Sequence, residues 1–182
     1  MKKDHTHGLE YLKSRLIYNA ETGVFTWLLR PIESGRRRRH SLSWNTRYAG
    51  KPAGRTALNG YVVILVDKRW YLAHRLAWMF EYGRWPKEDI DHINRDRADN
   101  RIANLRGATR TQNNGNTKLH RHNTSGVKGV CWATREKRWL AQVQFNGKCK
   151  SGGRFKSFDE ACAARRKLAA NLFGDFASDS PR

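Results

Sequence analysis

Residues 91–116 read DHINRDRADNRIANLRGATRTQNNGN, and the other parts of the chain are most simply placed relative to them. Glu88 to Ile93 alternates polar and apolar residues briefly, Asn94 to Asn100 is rich in turn formers, and Ile102 to Ala108 can be extended. Thr109 or Thr111 can then cap a helix that carries Asn113. The pattern predicts a hairpin followed by a helix. Ideal strand alternation sends Asp91 and His92 to opposite faces, so for both to serve one site the strand must end or distort near His92.

The residue types in this stretch are those that hydrolysis of a phosphodiester requires: a base for water, a hard cation to offset phosphate charge, and oxygen ligands to hold it. Asp91 offers a carboxylate, His92 an imidazole that titrates near neutrality, and Asn113 a carbonyl oxygen from a more distant segment. An Asp-His pair alone in a basic protein is more often a surface salt link, so the spacing of the whole stretch matters more than the pair. A calcium loop is excluded, because an EF-hand needs a mid-loop Gly and a terminal bidentate Glu, and neither follows Asn94 or Asp96.

Composition narrows the partner. The chain of 182 residues carries 36 Lys+Arg against 16 Asp+Glu, a formal charge of +20 that exceeds what solubility needs and points to a polyanion, nucleic acid first. A membrane surface is the other polyanion, but the sequence has no long apolar run, lipidation motif or signal peptide. The expectation is a soluble, cytoplasmic protein. Cys131, Cys149 and Cys162 form no C-x-x-C pair and are expected to be packing residues. His5 and His7 lie in a polar leader and His120 and His122 in a linker, so no zinc is expected.

Before the central stretch, Leu9, Leu12 and Leu16 recur at helical spacing, and the helix should stop before the turn cluster at Asn19–Gly23. Val24 to Leu28 reads as a short strand. Arg36-Arg37-Arg38-Arg39 reads either as a phosphate-contacting or minor-groove loop or as a solvated one. Tyr61 to Val66 is a buried strand by its β-branched character, Asp67-Lys68-Arg69 turns it back into Trp70-Tyr71-Leu72, and a helix from Ala73 ends at Gly83 and Pro86. His74 and Arg75 open that helix, His74 as a structural residue or DNA contact rather than a metal ligand. Asn114 to Asn123 is polar and basic and reads as a hinge. Beyond it, Val127–Ala133, Trp139–Phe145 and Lys150–Phe155 read as strands, the last two joined at Asn146-Gly147. A helix capped by Ser157 follows, its face marked by Ala161, Ala164, Leu168 and Leu172, and Gly174 closes it.

The central residues resemble a family, the HNH endonucleases with the ββα-metal motif, and within it the homing endonucleases of phage introns. The resemblance rests on Asp91-His92-Ile93-Asn94, Asp99-Asn100-Arg101, Asn104-Leu105-Arg106 with Ala108-Thr109, and Gln112-Asn113-Asn114. It implies that His92 is the general base, that Asp91 and Asn113 bind one divalent metal, and that Asn104 holds the loop across the hairpin. Many family members have histidine where this chain has Asn113, as the phage-intron branch does; Asn114 and Asn116 are the alternative ligands. The cation implied is Mg²⁺, with Mn²⁺ as substitute, and Arg106 or Arg110 would assist.

Ser125 to about Ala177 resembles the Apetala-two domain of plant ethylene-response factors, which also occurs attached to HNH nucleases. The residues concerned are Gly126 to Val130, Trp132, Arg138-Trp139, Ala141-Gln142-Val143 and Gly153-Arg154-Phe155 before an Ala-rich helix. In that family the sheet enters the major groove, which implies contacts from Lys128, Trp132, Arg135, Arg138, Trp139, Gln142 and Gln144, while Val143 and Phe145 would point inward. Cys131 to Thr134 departs from the plant pattern, so the bases read do not carry over.

The reading as a whole is an α+β protein: a ββα-metal HNH nuclease module with its N-terminal extension over residues 1–118, a linker at 119–122, a three-stranded antiparallel sheet packed on one helix at 123–177, and a tail at 178–182. The expected function is site-specific cleavage of double-stranded DNA, as a monomer or weak dimer that nicks, without a small-molecule cofactor or membrane. Its DNA contacts are expected from Arg36, Arg37, Arg38, Arg39, Arg75, Arg106 and Arg110 in addition to the sheet. The alternative is a catalytically silent DNA-binding regulator built on the same folds.

Overall fold

The computed structural model describes residues 7–32, 34–117, 119 and 122–177. The fold is α+β and divides into two compact units, Met1–Gly107 and Ala108–Arg182. Among the described residues no helix is long and apolar enough to cross a membrane.

The first unit starts with a short helix α1 (Leu9–Lys13) and an antiparallel hairpin of β1 (Leu16–Tyr18) and β2 (Phe25–Trp27). Leu16, expected on the helix, is instead a strand residue facing Trp27. Its side chain is buried in the same core as Leu12, so apolar spacing alone did not distinguish one helix from a helix that turns into a strand. Backbone hydrogen bonds decided it: Leu28 N–H donates to Arg15 O at 2.9 Å.

The arginine run, expected as a loop, forms a 3-10 turn (Gly35–Arg37) that leads into helix α2 (Arg38–Tyr48). Arg is a good helix former, and the helix is anchored further along. Asn45 accepts from Arg30 N–H and donates to Arg30 O, both at 2.9 Å, and Trp44 packs on the core.

The strands β3 (Arg55–Thr56), β4 (Val62–Val66) and β5 (Arg69–Leu72) form an antiparallel sheet in that order. Asp67 and Lys68, both at positive φ, make the tight turn between the last two. One face of the sheet sends Ile64, Val66 and Tyr71 into the core with Leu76 and Ala77 of helix α3 (Ala73–Tyr82). Gly83, at φ 70°, ends α3. The unit closes with β6 (Asp89–His92) and β7 (Leu105–Ala108), which pair; a 3-10 turn, Ile102–Asn104, lies just before β7.

In the second unit, helix α4 (Arg110–Gly115) starts at Thr109 with a full capping box: Gln112 N–H donates to the Thr109 hydroxyl, and the Gln112 side chain returns to Thr109 N–H. An antiparallel sheet follows, β10 (Lys148–Phe155), β9 (Arg138–Phe145) and β8 (Val130–Ala133) in spatial order. Helix α5 (Phe158–Phe173), capped by Ser157, covers one face. Ala141, Val130, Ala161 and Cys162 form one part of its core, and Val143, Ala169 and Phe173 another.

The division between units falls inside β7, earlier in the chain than the boundary expected at residue 118. The expected hinge is also partly fixed. Gly115 is buried within α4, where an added Cβ would stand 2.8 Å from the Phe173 ring, so its glycine serves close packing rather than freedom. Lys128 Nζ donates to Asn114 O and Gly115 O at 3.0 Å and holds the end of α4. Of the expected linker at 119–122, positions 120 and 121 fall outside the described residues.

Candidate active site

Asp91 and His92 end strand β6, and both are buried, at 4% exposure each. The strand stops at His92, whose carbonyl accepts Arg95 N–H at 2.9 Å, with Arg95 at φ 63°. Ile93 N–H donates to Asn104 O at 2.9 Å, so the end of β6 meets the start of β7 as a hairpin.

Asn104 organises the loop between the strands. Its carboxamide oxygen accepts Asn94 N–H at 3.0 Å, and its nitrogen donates to Asn94 Oδ1 at 3.0 Å and to Asp99 O at 2.9 Å. Asn94 in turn donates to Asp99 Oδ2 at 2.7 Å. Arg101 grips the same carboxylate through Nε at 2.8 Å and Nη2 at 2.6 Å, and these donors hold Asp99 ionised down to about 2. The N-terminal hairpin braces the loop from outside: Tyr18 OH donates to Asn100 O at 2.7 Å, and a Cβ on Gly23 would stand 2.4 Å from Arg101 N.

His92 sits among rings. Its imidazole meets His74 of α3 edge-on, centroids 5.1 Å apart, and Tyr61 lies 5.9 Å away. Arg97 places its guanidinium over Tyr61 at 4.8 Å. Burial pushes the His92 pKa below its ordinary value, although the Asn100 side chain and Asp91, Asp96 and Asp99 pull against it. His92 is therefore uncharged at neutral pH. Burial, with His92 and Arg75 nearby, pushes His74 down to about 3, which leaves it neutral as well.

Asp91 is ion-paired. Arg106 of β7 donates to its Oδ2 from Nε at 2.9 Å and from Nη2 at 2.8 Å. Arg106, expected to face DNA or the reaction, thus lies against the carboxylate with 20% of its side chain exposed. Arg75, another expected DNA contact, donates through Nη2 to Pro86 O at 3.2 Å and steadies the chain entering β6. Asn113 lies half-buried on α4, Asn114 is exposed beside it, and Asn116 is buried. Among the described residues no three His, Cys, Asp or Glu side chains gather as a metal cluster. The Asp91 carboxylate suits a hard divalent cation by its donor chemistry, with Arg106 on Oδ2 as the competitor for it.

The second sheet has two distinct faces. Register puts Arg138, Leu140, Gln142 and Gln144 of β9 on the side away from α5, with Cys131, Ala133, Cys149, Ser151 and Arg154 of the neighbouring strands. Trp139 is on the opposite side, packed on Phe158 at 4.7 Å, so its expected place on the outer face is corrected. Trp132 pairs with Trp139 and shares its side, though at a sheet edge that leaves it 47% exposed. Strand alternation is the reason, because Trp139 has the parity of Ala141 and Val143. Lys128 is also corrected, since its ammonium is bound to α4. Arg135 is exposed in the β8–β9 turn, Arg110 on α4, and Arg37, Arg38 and Arg39 at the start of α2. Cys162 is a packing residue as expected, but Cys149 is exposed and its Sγ reaches Gln142 Oε1 at 3.1 Å.

The sequence reading missed Tyr61 and the outer-face Arg154. Alternation from Ala141 through the bulge at Ser151 and Gly153 finds Arg154 only once the register is known. Tyr61 has no local signal, because packing alone brings it to the histidines.

No solved structure matches the chain. The family model described as HNH endonuclease matches residues 71–115, from β5 through α4, and so spans Asp91, His92, Asn104 and Asn113. Protein 3.8 of Escherichia phage T7 is 34% identical over 116 residues, which are 60% of this chain and 93% of that protein. The chain belongs to the family of Protein 3.8 and carries an HNH endonuclease domain at residues 71–115.

Proposed function

We propose that the chain is a site-specific, divalent-metal-dependent DNA endonuclease of homing type, which hydrolyses a phosphodiester bond at the β6–β7 hairpin. The observation that carries this reading is His92: a buried, uncharged imidazole beside a buried carboxylate, inside an HNH endonuclease domain. A general base must be unprotonated before it acts, and His92 meets that condition at neutral pH. It takes the proton from the water that attacks phosphorus, a step worth about 10²–10⁴-fold. Asn104 keeps the loop around His92 in place, and Tyr61 and His74 limit the ring's motion.

Asp91 is the cation ligand of the hairpin, and Asn113 of α4 is the second ligand that the family resemblance implies. Both present hard oxygens of the kind that Mg²⁺ or Mn²⁺ takes. When bound, such a cation offsets the negative charge that builds on the phosphate. Arg106 orients the Asp91 carboxylate through two donors on Oδ2.

Duplex DNA is held by positive charge outside the hairpin. Arg37, Arg38 and Arg39 crowd the start of α2, where like-signed helix dipole and arginines repel by about 0.3–1 kcal/mol each and a phosphate relieves the repulsion. Arg135, Arg138, Gln142 and Gln144 offer phosphate and base-edge donors from the second unit, in the manner of an Apetala-two sheet. A monomer with one such site nicks a single strand.

The test is cleavage of supercoiled plasmid with Mg²⁺ and with EDTA, by the native protein and by His92→Ala. Metal-dependent nicking that falls at least about 100-fold in the variant, with unchanged gel shift, is the expected result. The ion pair on Asp91 favours one other reading, a silent DNA-binding regulator. DNA binding with no cleavage under any metal would establish that reading and overturn ours.

A further inference from the structure

Away from the hairpin, the first unit has a cleft of about 590 Å³ between α2 and the outer face of the β3–β4–β5 sheet. That volume lies within the ~300–1,000 Å³ of small-ligand sites. Strand register explains the sheet side: Arg55 pairs with Val63 and Leu65 with Trp70, so these four share the face turned from the core. Helix α2 supplies Trp44, Arg47 and Tyr48 from the other side.

What distinguishes the cleft is its chemistry. The guanidinium of Arg30 lies over Trp44 at 3.8 Å, that of Arg55 over Trp70 at 5.1 Å, and that of Arg47 over Tyr48 at 5.9 Å. Arginine–aromatic pairs of this kind occur roughly once per 70–80 residues, and here three line one cleft. No carboxylate is among its described lining residues, although His40 is; Arg30 alone of the three arginines reaches one outside the lining, Asp67 at 3.3 Å, which leaves Arg47 and Arg55 as the chief phosphate donors. Trp70 is 54% exposed and Tyr48 39%, an unfavourable placement for large rings unless something covers them.

We propose that this cleft binds an unstacked nucleobase together with its flanking phosphate. A base has two π-faces and needs aromatic walls, while a phosphate needs in-plane guanidinium N–H donors. With each guanidinium 3.8–5.9 Å from a ring centroid, the cleft sets both kinds of group side by side. An acidic peptide would satisfy the arginines and leave Trp70 and Tyr48 uncovered; a purely apolar segment would do the reverse. The choice of nucleic acid as occupant rests on the nuclease reading, but the site shares no residue with the hairpin.

The experiment uses the full chain in EDTA, so that cleavage plays no part. Oligo-dT carrying 5-iodouracil is photocrosslinked to the protein, and its affinity is measured by anisotropy for native protein, Trp70→Ala and Arg47→Ala. A fully paired duplex and a duplex with a central bubble are measured alongside, to tell a single strand from an extruded base. Crosslinks to the peptides of Trp70 or Tyr48 are expected, with affinity for unpaired DNA lower by about fivefold or more in Trp70→Ala, the ~1 kcal/mol lower end of base stacking. Both variants alter exposed side chains, and unchanged thermal melts would show that they fold. Crosslinks elsewhere, unchanged affinity in both folded variants, or full displacement of oligo-dT by poly-glutamate would overturn the proposal. Intact crosslinks at Trp70 in EDTA, from a native protein that does not nick plasmid when Mg²⁺ is supplied, would overturn the nuclease reading alone.

Discussion

The arginines of the hairpin and those of the second sheet live in opposite environments. Around β6 and β7, Arg106 is bound to Asp91, Arg75 to the backbone before β6, and Arg101 to Asp99. On the outer face of the β8–β10 sheet, Arg138 and Arg154 stand among Gln142, Gln144 and Ser151, turned away from the helix and core. A net charge of +20 counts both groups alike. The lesson is that the charge identifies a polyanion partner and does not locate it; the position of each guanidinium relative to a carboxylate or carbonyl does.

The sharpest way to break that distinction is to remove Arg106. Asp91, buried at the end of β6, would lose the guanidinium that donates twice to its Oδ2, and breaking a buried pair on one side costs about 3–5 kcal/mol. Arg106→Ala is therefore expected to lower the urea midpoint strongly, whereas Arg138→Ala should leave it within about 0.5 kcal/mol of native. Equal, small changes in both would mean that the Asp91–Arg106 pair is not formed in solution.

The histidine pair formed by His74 of α3 and His92 of β6 should also be acid-sensitive. His74 has a folded pKa of about 3 against an ordinary 6.5, and that of His92 is lowered too. A depressed histidine binds its proton only in the unfolded chain, so its contribution to stability is full above pH 6.5 and is lost as pH falls toward the folded value. For His74 this amounts to roughly 2 kcal/mol between pH 7 and pH 5. Denaturant titrations at the two pH values should show the loss, and His74→Phe should flatten it. A stability that rises on acidification would contradict the burial of the histidine pair. The same depression means that the acid limb of cleavage should lie below the ordinary histidine range.

These sites differed in how far they could be read from residues alone. The loop of the hairpin was legible because Asn94, Asp99 and Asn104 bond to one another over short chain distances. The β9–β10 hairpin was legible from Asn146-Gly147, both of which adopt positive φ. Helix α2 was missed because its core contacts, buried Ser41 and half-buried Trp44, are sparse and follow four arginines. Tyr61 and the pairing of Arg106 with Asp91 depend on tertiary packing, and nothing local announces them.

A third expectation concerns Gly115 of α4, where close packing and flexibility predict opposite results. Gly115→Ala gains up to about 1 kcal/mol of helix propensity but drives a Cβ into the Phe173 ring, at a cost of roughly 1–3 kcal/mol. The net effect should be a lower melting temperature for a fragment of residues 108–182, partly rescued by Phe173→Leu. A fragment that starts at 123 should melt lower still, because it lacks α4, on which Lys128 is anchored. A gain in stability from Gly115→Ala would restore the hinge reading.

The smallest effect belongs to the outer face, and it tests the comparison at the level of single charges. Arg154 pairs in register with Leu140 and shares the side of Arg138, so it should touch phosphate even though strand alternation read from sequence passed over it. Removing one phosphate contact lowers the slope of log affinity against log salt by about 0.9, with only a modest loss of affinity. Arg154→Ala and Arg138→Ala should each show this change with an unaltered melting temperature. Lys128→Ala should show the opposite, a lower melting temperature and an unaltered slope, because its ammonium holds carbonyls of α4 and not DNA. If Lys128→Ala shifted the slope while Arg154→Ala did not, the binding face would be the helix side of the sheet, and the assignment of its two faces would have to be reversed.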